Sequence, residues 1–244
     1  MPALFDWRAM LVPSALLYFC TAGAQEASPT APIEYRREAP LPLQQSFHTV
    51  SPWKVTVTAS VAPTHEIGSD NGRSVSQICF DRQALAPSSC TYFSALFNSP
   101  RLYQVFLGFS VERLTRRLRT ATGLIMKARA WYSTGQVQEM AIWVYNVQRD
   151  EFELAVAVPS SQEQRIFNSG YLDGALVTVN WYWANHENRW SDHRRNVTVY
   201  RYRADKGIGT YRKVLEYTTI KKYRAEDSST IDAELVNIES KLRK

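Results

Sequence analysis

The chain of 244 residues is poor in cysteine, histidine and glycine, and each shortage removes a class of protein. Three cysteines are too few for a fold built on disulfides, and none stands in the CxxC spacing that tunes thiol acidity. Ten glycines and 11 prolines exclude fibrous and low-complexity classes. The sequence has no GxSxG and no HExxH, so it carries no recognisable hydrolase or zinc-protease motif. Gly207-Ile208-Gly209 precedes a strand pattern and not a helix, which makes it a turn and not a phosphate loop.

What is present begins with an apolar segment. Ala9 to Ala24 spans 16 residues and contains Pro13, too short for a membrane span of roughly 20 residues. Ala22-Gly23-Ala24 fits the small-x-small rule for signal peptidase, so residues 1–24 read as a signal peptide cleaved after Ala24. Cys20 is then lost; bulky Phe19 before it argues against lipidation. The exported chain keeps Cys79 and Cys90, an even pair that reads as one disulfide pinning a local loop.

Residues 25–52 hold five prolines and no clean periodicity, and read as an extended leader. From Trp53 the chain alternates with period two. Trp53, Val55 and Val57 share one face; Tyr103, Val105, Leu107, Phe109 and Val111 share another, interrupted by Phe106. Gly123–Tyr132 and Val137–Val147 read as a hairpin, followed by strands at Phe152–Val158, Gly174–Trp183, Asn196–Arg203 and Thr210–Tyr223. A short helix is expected near Asp81–Ala86, and residues 159–170 read as a polar connection. Strands joined by short turns predict a mainly β fold over 53–224, an antiparallel β-sandwich or barrel-like domain.

Residues 225–244 predict an amphipathic helix, with early acids and late bases that suit its dipole. Ile231, Leu235, Ile238 and Leu242 form its apolar stripe, available either to the domain's own sheet or to a protein partner.

The net charge of +6 favours anionic partners, such as an envelope component. Arg194, Arg195, Arg201, Arg203, Arg212 and Lys213 crowd the last strands, although Arg201 and Arg203 share parity with Val197 and Val199, which leaves their direction open.

The densest chemistry lies in the loop of residues 184–195. His186, Glu187, Asp192 and His193 are an imidazole and carboxylate set of the kind that binds transition metals, but the spacing matches no zinc motif, so no cofactor is expected. Trp190, in mid-loop among polar residues, is the aromatic expected to be exposed; Trp181 and Trp183 share parity with Val177 and Val179 and are expected in the core. Three readings follow: an exported non-enzymatic protein that binds another macromolecule by a basic sheet face or the terminal helix, a polysaccharide-binding module using this loop, and a metal-dependent enzyme centred on His186 and His193.

Overall fold

A computed structural model describes residues 33–38, 43–61, 75–82, 89–98, 103–118, 121–132, 135–184, 187, 191–205, 208–224 and 229–244. The signal segment lies outside them. Twelve strands are described, in three antiparallel sheets of four, each a meander whose strands pair in chain order. The first sheet contains β1 (Ile33–Glu38), β2 (Trp53–Val61), β3 (Val75–Arg82) and β4 (Ser89–Tyr92). The second contains β5 (Tyr103–Arg113), β6 (Thr122–Tyr132), β7 (Gly135–Asn146) and β8 (Glu151–Ser161). The third contains β9 (Glu163–Phe167), β10 (Ala175–Tyr182), β11 (Arg194–Asp205) and β12 (Ile208–Thr218). Helices α1 (Leu43–Phe47), α2 (Phe93–Leu96) and α3 (Thr230–Leu242) complete the described elements.

Strand alternation assigns the cores. Leu124, Met126 and Ala128 of β6, with Ala141 and Trp143 of β7, face Val55, Val57, Ile78 and Phe80 of the first sheet. The residues between them, Ile125, Met140, Ile142 and Val144, turn the other way and meet Leu176 and Tyr211 of the third sheet. The second sheet is therefore buried on both faces, and the layers form a β-sandwich-like stack. The third sheet has its own second face: Val177, Val179, Val197 and Val199 lie against Ile231 and Ile238 of α3, with Leu235 and Leu242 alongside. The helical stripe that could have served a partner is thus packed against the protein's own sheet.

Several expectations are corrected. The leader is partly folded: β1 pairs with β2, and Leu43 and Phe47, one helical turn apart, both enter the first core. Asp81 and Arg82 end β3 instead of starting a helix; residues 83–88 lie outside the described set. The supposed polar connection at 159–170 contains the end of β8 and all of β9, whose sequence EQRIF lacks the apolar alternation of its neighbours. The pairing of β5 with β6 shifts register between Phe106 and Gly108, which puts Phe106 in the core together with Phe109 and Val111, while Leu107 is exposed. Cys79 and Cys90 are disulfide-bonded, opposite each other across β3 and β4.

Asp150, in the turn between β7 and β8, fastens the first two sheets together. It accepts hydrogen bonds from the Tyr145 hydroxyl at 2.6 Å, the Trp53 indole N–H at 3.0 Å and the Ser51 hydroxyl, and the Arg82 guanidinium lies 3.3 Å away. Desolvation opposes its charge, but the hydrogen bonds from Ser51, Tyr145 and Trp53 outweigh it and hold the carboxyl well below the usual range. Because folding depresses this pKa, its contribution to stability is complete above the unfolded value of about 4 and is lost as pH falls below it. Asp150→Asn is expected to lose about 2 to 3 kcal/mol in urea unfolding at pH 7. The gap from the wild type should narrow below about pH 4; equal stability of the two proteins at pH 7 would contradict this role.

Candidate functional site at the end of the third sheet

The face of the third sheet that lies under α3 changes character along its strands. On β11 the row runs Val199, Val197, Arg195 and then His193; the neighbouring row runs Val177, Val179, Trp181 and then Trp183. The valines are beneath the helix. Its N-terminus is anchored near Val179, because Glu163, which pairs with Val179, accepts hydrogen bonds from the Ser229 hydroxyl and the Ile231 N–H. Trp181, Trp183, Arg195 and His193 therefore continue the row past the start of α3.

Two indoles hold His193 in place. Its ring is completely buried, 4.6 Å from Trp181 and 4.5 Å from Trp183 between centroids. Its Nδ1 lies 3.0 Å from Glu187 Oε2. Glu187 also accepts from the Lys222 ammonium at 2.8 Å and the Ala184 N–H at 3.1 Å. Led by the Lys222 hydrogen bond, these contacts hold the Glu187 carboxyl at about 2. An ionised carboxylate only accepts, so the Nδ1–H of His193 is the donor. The Arg195 guanidinium lies over Trp181, 3.4 Å from the ring centre, and donates to the Arg224 carbonyl at 2.8 Å.

The segment after β12 closes this end. His193 and Tyr223 exchange two backbone hydrogen bonds, and the Thr219 N–H donates to the Arg195 carbonyl. The Thr219 hydroxyl donates to the Lys221 carbonyl at 2.8 Å. Tyr223 and Tyr217 then donate to the buried Glu234 of α3 at 2.5 and 2.9 Å, which ties bend, sheet and helix together. Burial and this carboxylate push the Tyr217 phenol well above its ordinary pKa.

The expected loop residues divide three ways. Glu187 and His193 come together; Asp192 is at the surface, 3.5 Å from Arg224. His186 and Trp190 lie outside the described residues. Among the described residues no group of three or more His, Cys, Asp or Glu side chains could hold a metal ion. Trp183 keeps the predicted parity but is 43% exposed, because the helix that would cover it has not yet begun. The direction of the arginines is also resolved: Tyr200 and Tyr202 pack toward the second sheet, so Arg201 and Arg203 take the α3 side. Arg201 reaches over Tyr171, at the far end of the strand.

In the sequence, residues 219–223 read only as the end of a strand. The usable signal there is an isoleucine followed by two lysines just after the apolar alternation stops. No protein family, curated protein or solved structure matches the chain.

Folding depresses the Glu187 pKa, so what its contacts contribute is complete above about pH 4.3 and is lost as pH falls through about 2. Glu187→Gln is expected to weaken the tryptophan near-UV circular dichroism at pH 7 with the far-UV spectrum retained. An unchanged near-UV spectrum would show that the carboxylate does not hold the indoles and imidazole in place.

Proposed function

We propose that the chain is an exported, non-enzymatic protein that engages an anionic partner in its surroundings through this end of the third sheet. The observation that carries the reading is the density of cations around Trp183. Arg194, Lys221, Lys222 and Arg224 are all exposed there, and Arg195 lies beneath them, against two carboxylates among the described residues, Glu187 and Asp192. Both acids are already engaged by Lys222 and Arg224, so the described residues present a net positive charge outward. The disulfide and the absence, among the described residues, of a helix long and apolar enough to cross a membrane are compatible with export.

A polysaccharide partner is the second reading, favoured by the exposed indole of Trp183. The two differ in what salt does: contacts between charges weaken as ionic strength rises, and stacking of a neutral sugar does not.

The protein is expected to bind an immobilised sulfated polysaccharide at low salt and to elute as sodium chloride rises. Lys221→Gln with Lys222→Gln should elute at distinctly lower salt. Arg203→Gln, about 25 Å away along β11, should elute with the wild type. Failure to bind, or elution of the double variant with the wild type, would overturn the reading; retention that ignores salt would favour a neutral glycan.

A further inference from the structure

Ile220 is 93% exposed, the most exposed of the large apolar side chains among the described residues. A single apolar residue at a surface is ordinary and carries no meaning alone. Its setting is what distinguishes it. The backbone on both sides is pinned, by Thr219 to Arg195 and by Tyr223 to His193, so Ile220 stands at the tip of a fixed bend. Lys221 and Lys222 follow it directly. The ends of the adjoining strands add the exposed Trp183 and Tyr182 together with Arg194.

These three kinds of group suit one surface together. An aliphatic tip gains by leaving water for an acyl boundary, indole and phenol rings settle at headgroup depth, and lysine and arginine meet lipid phosphates. A soluble polyanion would use the cations but leave Ile220 with no partner. A protein partner would need a complementary apolar hollow as well as acidic groups, whereas a bilayer supplies both from any direction.

We propose that this end of the third sheet docks on an anionic lipid bilayer. Ile220 and Trp183 enter the headgroup region, and Arg194, Lys221, Lys222 and Arg224 contact phosphates around them. The inference rests on the anionic-partner reading and narrows it to one surface.

The test uses the whole protein and vesicles, either pure phosphatidylcholine or phosphatidylcholine mixed with phosphatidylglycerol, with sedimentation as the readout. Binding is expected only to the mixed vesicles. Ile220→Ser should lower the partition coefficient by about fivefold or more, while its elution from the sulfated polysaccharide stays at the wild-type salt concentration. Lys221→Gln with Lys222→Gln should lower the partition by on the order of tenfold, and lower the elution salt too. Two results would overturn the lipid proposal while leaving the anionic reading intact: retention on the polyanion with no vesicle binding, or vesicle binding that ignores Ile220→Ser. A wild type bound by neither would overturn both. Ile220 is almost wholly in solvent, so its replacement does not disturb the fold.

Discussion

A helix of 13 residues cannot cover a strand of 12. At 1.5 Å per residue α3 is about 20 Å long, and β11, at about 3.3 Å per residue, runs close to 40 Å. The face of the third sheet turned toward α3 must therefore be aliphatic in the middle and something else at its ends. Valines occupy the covered part, and where the helix begins the same rows turn to tryptophan, arginine and histidine. The candidate site exists because this mismatch leaves the end of the sheet open.

The rest of the stack holds that end in position. Burial of the second sheet on both faces fixes it between the other two, and its register cannot slip without moving a core row into the wrong layer. Two carboxylates do the joining that apolar packing cannot. Asp150 gathers donors from the chain before β2, from β2 itself, from β3 and from β7; Glu234 gathers phenols from β12 and from the bend after it. The second of these bears on the proposed surface. It ties the segment carrying Ile220 and the lysines to the helix, so the cations are displayed on a fixed scaffold.

Legibility in the sequence followed the physics of each segment. The β6–β7 hairpin and the strands around the loop were readable because a long period-two pattern in apolar residues leaves few alternatives. β9 was not, because a five-residue polar strand is held by its neighbour's backbone and not by its own apolar face. In β5 the alternation misassigned Leu107, since a register shift moves parity without leaving a mark in composition. The role of Asp150 has no local mark in sequence, because its donors lie between 5 and 99 positions away. In the loop, Glu187 and His193 meet, as convergence of the loop's two ends predicts. The other half of the candidate site, residues 219–224, is not legible, because its place depends on which segment folds back beside His193.

The central claim is that the face past the start of α3 is the working surface and that α3 itself is structural. Hydrogen exchange of the protein with and without anionic vesicles tests it directly. Added protection is expected over residues 191–195 and 219–224, and none over 230–242. Protection concentrated on 230–242 would contradict it and assign the partner to the helix.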